Sequence, residues 1–206
     1  MKLDYVTAGN LMVNCYLLSD SGEAVLIDAP SEEKKIEEMI DKSKCKLTKI
    51  ILTHGHYDHI ASADYLAKKY GAKIYIHKAD SEMLSDNDKN LSFLTNEPVE
   101  AFSADVFVDE GDELTVGSKT IKVYSTPGHS EGGITLFTEG MVFPGDLLFK
   151  NSIGRFDYGN IWVEMNSLRM LMETFGDEER VYPGHGEFTT IGEERRNNPY
   201  ILNHIN

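Results

Sequence analysis

Residues 53–59 read Thr-His-Gly-His-Tyr-Asp-His and concentrate side chains that can bind a metal ion. Three imidazoles and one carboxylate, from His54, His56, Asp58 and His59, fall within this short stretch. Neither an apolar core nor a solvated surface requires such a composition. Neutral imidazole and carboxylate are the ligands that Zn²⁺, Fe and Mn²⁺ accept in proteins. The stretch therefore predicts a metal site.

Three further ligand-type residues each follow a Pro-Gly pair. They are His129 after Pro127-Gly128, Asp146 after Pro144-Gly145 and His185 after Pro183-Gly184. Pro-Gly favours a tight turn, because proline presets φ and glycine accepts a positive φ. Since an apolar, strand-like stretch precedes each pair, we expect the turns to aim these side chains from strand ends into a shared space.

The elements around residues 53–59 indicate how the cluster is held. The apolar run at 50–52 predicts a buried strand, and residues 60–70 predict a helix. The cluster is therefore expected where a strand ends and a helix begins. Open α/β sheets bind their ligands at the carboxyl ends of strands, which makes this a suitable position for a functional site.

The rest of the chain predicts two β-rich blocks with flanking helices. Strands are expected at 3–6, 12–18, 24–28 and 73–77, then at 106–108, 113–116, 119–124, 133–138, 141–143 and 180–182. Helices are expected at 31–44 with Ser31 as the N-cap, at 79–84 and at 161–175. Residues 85–105 are polar and predict either a surface loop or a lid over the site.

Composition and charge narrow the classes of function. The 206 residues fit one domain, and 41% hydrophobic with 26% charged residues are typical of a globular protein. The formal net charge is −14. Because nucleic acids and anionic membranes attract Lys- and Arg-rich surfaces, we expect neither as a partner.

The cysteines and the N-terminus predict a compartment. Cys15 and Cys45 are far apart in the sequence and form no Cys-x-x-Cys pair. A disulfide framework is therefore not expected, which favours a reducing compartment. Cys15 lies in an apolar stretch and is expected to be a small packed residue. The chain starts without a basic-then-apolar leader and has no run of the ~20 apolar residues that a membrane span needs. We expect a cytoplasmic protein.

Together these residues resemble the metallo-β-lactamase superfamily, whose signature is His-x-His-x-Asp-His followed by a distant His, Asp and His. The matching residues are His54, His56, Asp58, His59, His129, Asp146 and His185. The resemblance covers nearly the whole chain. It implies an α/β fold, the four-layer αββα sandwich, formed by residues 1–206 as a single domain.

The resemblance also implies two divalent metal ions and assigns their ligands. Site one would use His54, His56 and His129; site two would use Asp58, His59 and His185. Asp146 would bridge both sites. Zinc is the expected metal, with iron and manganese as alternatives. Metal-bound water would be the nucleophile, and Asp58 would in addition orient it as a catalytic residue.

Finer features resemble the glyoxalase II branch in its short form. The matching segments are 14–16, 127–130, 145–149 and 154–155, together with a C-terminal stretch that contains 183–186, 191–195 and 198–199. This branch implies a thioesterase that cleaves S-2-hydroxyacylglutathione or a related small thioester. Arg155 would contact the glycine carboxylate of glutathione; the alternative is a surface arginine paired with an acid such as Asp157.

The sequence also departs from that branch. The branch's separate C-terminal substrate-binding domain is not expected in residues 186–206, Glu187 replaces a frequent aromatic residue, and 156–160 lack the usual Pro and second Gly. Alternatives are therefore a mononuclear iron persulfide dioxygenase using His54, His129 and Asp146, a lactonase or β-lactamase, and a non-enzymatic metal-binding module. The oligomeric state is left open.

Three residues outside the pattern are expected to be structural. His77 ends a predicted strand and His204 lies near the end of the chain, so neither is expected to bind metal. Trp162 is expected on a core-facing side of the helix at 161–175.

Overall fold

The first sheet carries the strands that precede and surround the His/Asp stretch. The computed structural model describes residues 1–95 and 98–205. The strands are β1 (Lys2–Ala8), β2 (Val13–Asp20), β3 (Glu23–Ile27), β4 (Lys46–Ile51), β5 (Lys73–His77) and β6 (Val106–Val108), and they pair in that order. The β1–β2 and β2–β3 pairs are antiparallel, whereas β3 to β6 are parallel.

The second sheet comes from the later half of the chain. Its strands are β7 (Glu113–Val116), β8 (Lys119–Ser125), β9 (Ile134–Thr138), β10 (Met141–Phe143), β13 (Arg180–Val181) and β14 (Thr189–Thr190), in the order β14-β13-β10-β9-β8-β7. A separate hairpin joins β11 (Leu148–Phe149) to β12 (Ser152–Ile153). The sequence did not reveal β11, β12 or β14, because two-residue strands are too short to show an alternating pattern.

Helices cover the outer faces of both sheets. They are α1 (Glu33–Ser43), α2 (Tyr57–Ile60), α3 (Ala63–Tyr70), α4 (Ile161–Thr174), α5 (Ile191–Asn197) and α6 (Pro199–His204), with 3₁₀ helices at Lys78–Leu84 and Ser92–Leu94. Residues from α1 and α3 pack on the first sheet, and residues from α4, α5 and α6 pack on the second. Within the described chain, no helix is both long and apolar enough to cross a membrane.

Alternation along the strands creates the layers. In β2, Cys15 and Leu17 face the helices, whereas Tyr16 and Leu18 face the second sheet. This is the two-residue period of a strand, and here both faces are apolar because both are covered. The predicted αββα sandwich is confirmed, and so is the packed position of Cys15.

Two predicted helix starts were wrong. Ser31 does not cap α1, because the chain enters that helix through Glu32 in the left-handed region, with no side-chain cap. The carboxylate of Glu32 instead accepts the Gly9 N–H at 2.9 Å. The helix predicted at 60–70 is interrupted before α3, where Ser62 donates to the carbonyls of Pro30 and Ala29.

The predicted core position of Trp162 was also wrong, since 78% of its surface is exposed. Asn160 caps α4 by accepting the backbone N–H groups of Trp162 and Val163, which places Trp162 in the first turn on the solvent side. The buried face instead includes Leu168 and Leu171. His204 is exposed, as predicted.

The buried face of α4 also carries a carboxyl group, that of Glu164. The residue is fully buried, and neither carboxylate oxygen has a hydrogen-bond partner within the described residues. Burial, together with the nearby Asp146 carboxylate, raises the pKa of Glu164 to about 8. Glu164 is therefore protonated in the folded chain at neutral pH.

The free energy of unfolding is expected to fall as pH rises from 4.5, the ordinary pKa of a glutamate, towards about 8. In this range the folded chain keeps a proton that the unfolded chain has released. The free energy of unfolding therefore falls by up to ~1.4 kcal/mol for each pH unit. The glutamine in Glu164→Gln cannot ionise. This variant should therefore be more stable than the wild type near pH 8 but not below pH 4.5. Urea unfolding of the metal-free proteins at both pH values measures this, and an equal difference at both would contradict it.

Candidate metal centre

The seven predicted ligand side chains converge at one end of the two sheets. The loop after β4 supplies His54 and His56, and α2 supplies Asp58 and His59; the turns after β8, β10 and β13 supply His129, Asp146 and His185. The last turn is held against the first sheet, because His185 forms a β-bridge with Val13 and Asn14 donates its N–H to Gly184. The cluster thus joins both sheets.

The ligand atoms fall into three overlapping groups. Within each group, one atom per residue lies within 4.8 Å of the others: His54 with His56 and His129, Asp58 with His59 and His185, and Asp146 with His54 and His59. The first two groups have the composition expected for sites one and two. The third takes one histidine from each, which places Asp146 between them.

Distances within the cluster show how closely the atoms converge. His56 Nδ1 lies 2.9 Å from His129 Nε2, and His59 Nε2 lies 3.2 Å from His185 Nε2. The two oxygens of Asp146 point to different histidines, with Oδ1 at 3.3 Å from His59 and Oδ2 at 3.3 Å from His185 and 3.7 Å from His129. This arrangement suits a carboxylate that bridges two ions.

Two buried atoms of the cluster have no hydrogen-bond partner among the residues that the structure describes. They are His54 Nε2 and Asp146 Oδ1. Buried polar atoms without a partner are rare in folded proteins, because their desolvation is not compensated. A divalent cation coordinated by both would remove this penalty, so the nitrogen and oxygen donors present here fit such ions.

The far side of most imidazoles is fixed by a hydrogen bond. The Nδ1 atoms of His54, His59, His129 and His185 lie 2.8–3.1 Å from Thr53 Oγ1, Asp28 Oδ2, the Arg155 carbonyl and the Leu11 carbonyl, respectively. Such outer contacts set the tautomer and the ring orientation of metal-binding histidines. In each case Nε2 is the nitrogen that faces the cluster.

Electrostatics place three of the ligand groups in the protonation states that metal binding requires. Burial and His129 lower the pKa of His56 to about 3, and burial with neighbouring histidines holds the pKa of His54 well below its usual value. Burial opposes ionisation of Asp146, but His59 and His185 hold its pKa well below the usual range. Against the effect of burial, the Asp146 and Asp58 carboxylates raise the pKa of His185 to about 9 and that of His59 well above its usual value, so a metal ion would have to displace a proton from each of these two imidazoles.

Two buried aspartates outside the predicted ligand set hold the loops in place. Asp28, directly after β3, accepts the Thr53 N–H at 2.8 Å and contacts His59. Asp80 accepts the N–H groups of Gly55 at 3.0 Å and Gly132 at 2.6 Å. An acid after a buried strand is a signal that could have identified Asp28. Asp80 lies in a short 3₁₀ helix and carries no comparable signal.

The glycines of the Pro-Gly pairs serve different needs. Gly145 adopts a positive φ of 54°, as the turn prediction requires. Gly184 does not, but a Cβ at this position would overlap Asp146 Oδ1. The third turn therefore needs glycine because the backbone passes directly against the cluster.

Asp80→Ala is expected to weaken metal binding, because Gly55 lies between His54 and His56, and Gly132 follows His129. The substitution leaves two buried N–H groups without an acceptor, at about 1–3 kcal/mol each. We expect a loss of metal affinity of about 10- to 100-fold, measured as metal retained against graded chelator.

The exposed Glu82 on the same 3₁₀ helix offers the matched control. Glu82→Gln should leave metal retention unchanged. Equal retention in wild type and Asp80→Ala would show that Asp80 does not position the loops.

The carbonyl of Arg155 contacts His129, and its side chain lies on the wall of a cleft of about 450 Å³ that opens above the cluster. His56, Asp58, His129, Asp146 and His185 form part of the cleft lining. The guanidinium of Arg155 pairs with Asp157, with Nε 2.9 Å from Oδ1. Leu91, Leu94 and Thr95 show that the loop predicted at 85–105 also contributes to the cleft; residues 96 and 97 of that loop lie outside the described residues.

The family model for the metallo-β-lactamase superfamily matches residues 8–185. Hydroxyacylglutathione hydrolase GloC of Haemophilus influenzae is 29% identical, covering 98% of each chain. The crystal structure of BLEG-1 B3 metallo-beta-lactamase superposes with a TM-score of 0.92 at 30% identity, over 97% of this chain and 99% of that one. TTHA1623 in a di-iron-bound form gives 0.86 at 31%, over 96% and 99%. The chain belongs to the metallo-β-lactamase superfamily.

Proposed function

We propose that this protein is a dinuclear metal-dependent hydrolase that cleaves S-2-hydroxyacylglutathione or a related small thioester. The observation that carries the proposal is the pair of ligand groups, His54 with His56 and His129, and Asp58 with His59 and His185. Both lie beneath one cleft, with the Asp146 oxygens between them. The likeness to GloC supports a thioester as the substrate class.

Site one would be held by His54, His56 and His129, site two by Asp58, His59 and His185, and Asp146 would bridge them. Two bound divalent ions supply a hydroxide at neutral pH and polarise the substrate carbonyl. We propose zinc as the native metal. Iron is the main alternative, because TTHA1623 has been obtained in a di-iron-bound form, and the same donors accept manganese.

The chain itself orients the reactants. Burial opposes ionisation of Asp58, but His59 and His185 lower its pKa, so its carboxylate is available to accept a hydrogen bond from the attacking water. Water adds to the thioester carbonyl, the C–S bond breaks, and the sulfur leaves as a thiolate while the acyl group becomes a carboxylate; the two protons of the water are released to solvent. A thiolate is a good leaving group, so the reaction needs no strong acid at the sulfur.

β-Lactam or lactone hydrolysis is the second candidate, because the fold superposes closely on a protein described as a B3 metallo-beta-lactamase. Both reactions use the same nucleophile on a different carbonyl. The persulfide dioxygenase alternative would need one iron per chain and would consume oxygen.

The deciding experiment loads the purified protein with Zn²⁺, counts metals per chain and follows thioester absorbance of S-D-lactoylglutathione and of neutral thioesters. Nitrocefin hydrolysis and oxygen uptake are measured in parallel. Two metals with thioester turnover support the proposal. Two metals with nitrocefin turnover alone would favour the lactamase, and one iron with oxygen uptake would favour the dioxygenase.

A further inference from the structure

We propose that the cleft selects thioesters that are apolar and uncharged, and that Asp157 disfavours thiols bearing a carboxylate by occupying Arg155. The inference rests on the proposed thioesterase activity and narrows its substrate class. It follows from two features of the cleft, its apolar mouth and the pairing of its cations.

The mouth of the cleft is formed by exposed apolar side chains. Leu11, Leu94 and Tyr158 line it and are each about half exposed, at 51%, 52% and 51%. Leu91 and Phe149 complete its apolar wall. Exposed apolar groups gathered around a concave site mark a ligand surface, because a ligand that covers them removes them from water.

The apolar lining comes from three separate segments of the chain. Leu11, Leu94 and Tyr158 bring apolar side chains to the same opening from positions far apart in the sequence. A substrate with an apolar acyl chain or an apolar thiol would bury this surface, whereas the two carboxylates of glutathione would gain nothing from it.

Arg155 is the one arginine or lysine among the described residues that line the cleft. Its Nε and Nη2 atoms face the two oxygens of Asp157, at 2.9 and 2.5 Å, and its guanidinium lies 5.2 Å from the ring of Tyr158. A substrate carboxylate would need this same edge for a bidentate contact. Asp157 therefore competes with it.

The next cation along the chain is engaged in the same way. Lys150 follows the lining residue Phe149 and pairs with Glu187, two residues after His185, at 2.5 Å. Both cations are thus paired with acids, and a substrate carboxylate would have to displace Asp157 or Glu187 to bind them.

Exposure limits the size of the effect. The side chains of Arg155 and Asp157 are 65% and 53% exposed, and exposed ion pairs contribute little free energy. Releasing the guanidinium should therefore lower KM for a carboxylate-bearing thioester by about threefold to fivefold. The value of kcat should stay nearly constant, because the contact is made equally in the ground state and the transition state.

The test compares three thioesters on the zinc-loaded enzyme: S-lactoylglutathione, S-lactoyl-N-acetylcysteamine and S-octanoyl-N-acetylcysteamine. The wild type should have the highest kcat/KM for the neutral thioesters, with the octanoyl compound binding most tightly. Asp157→Asn should lower KM for S-lactoylglutathione alone, and adding Arg155→Ala to that variant should cancel the gain.

Glu139→Gln is the matched control, since it removes one negative charge from the exposed Lys119–Glu139 pair outside the cleft lining. It should leave all KM values unchanged. A wild type that prefers S-lactoylglutathione, or an unchanged KM in Asp157→Asn, would overturn the inference while leaving the thioesterase intact. Failure of all three substrates with two metals bound would instead reject the proposed thioesterase.

Discussion

Asp146→Ala is expected to abolish hydrolysis and to remove at least one metal per chain. The two carboxylate oxygens of Asp146 face histidines of both ligand groups, and Oδ1 has no hydrogen-bond partner within the described residues. Its loss leaves each proposed site one ligand short and removes the negative charge between two cations. We expect kcat to fall by about a thousandfold or more, as when groups that act as a unit are disrupted.

Metal content, by elemental analysis after gel filtration, is the readout that separates this role from a purely structural one. Asp146→Asn is the companion variant, because it keeps the shape but can offer only one oxygen. It should retain more metal than the alanine variant while staying inactive. If Asp146→Ala still bound two metals per chain, the assignment of Asp146 as the bridging ligand would be contradicted.

Asp28→Ala is expected to damage both stability and metal binding. Asp28 is buried, and its oxygens accept the N–H and hydroxyl of Thr53 and contact His59 Nδ1 at 2.8 Å. Its removal leaves a buried N–H and an imidazole without their acceptor. Breaking a buried charged contact in this way costs about 3–5 kcal/mol, and loss of an outer partner lowers metal affinity about 10- to 100-fold.

Chelator titration and urea unfolding measure the two effects on Asp28→Ala. The matched control is Asp20→Asn, an aspartate on β2 that is remote from the cluster and pairs with Ser118 on the surface. The control should lose little stability and no metal affinity. If Asp28→Ala kept wild-type metal affinity, Asp28 would be a folding residue without a role at the site.

The local spacing of the His/Asp stretch and the Pro-Gly turns was sufficient to predict which side chains gather. The reason is that each lies within a few residues of a strand end, where turn chemistry alone fixes direction. The structure brings all of them together, although whether each binds metal stays a prediction. The longer strands of both blocks were predictable as well, since two-residue alternation and apolar runs are local signals, whereas the two-residue strands β11, β12 and β14 were not.

Where contacts made from outside the predicted element compete with its own preferences, the predictions failed. Ser31 has the ideal chemistry for an N-cap, but the bond between Gly9 and Glu32 sets the entry to α1. Trp162 has the size of a core residue, but the cap at Asn160 fixes the rotation of α4. Neither contact is visible in the residues that the prediction used.

The sequence by itself determined the family, the layered fold and the set of ligand-type side chains, because these depend on residue types at short spacing. Only the tertiary structure decided that Asp28 and Asp80 hold the loops, that Glu164 is buried without a partner, and that Asp157 occupies Arg155. The Asp28–Thr53 and Asp80–Gly55 contacts each join residues that are 25 positions apart in the chain. Which residues meet in these contacts depends on how the two sheets pack together, and this cannot be read from the order of residues along the chain.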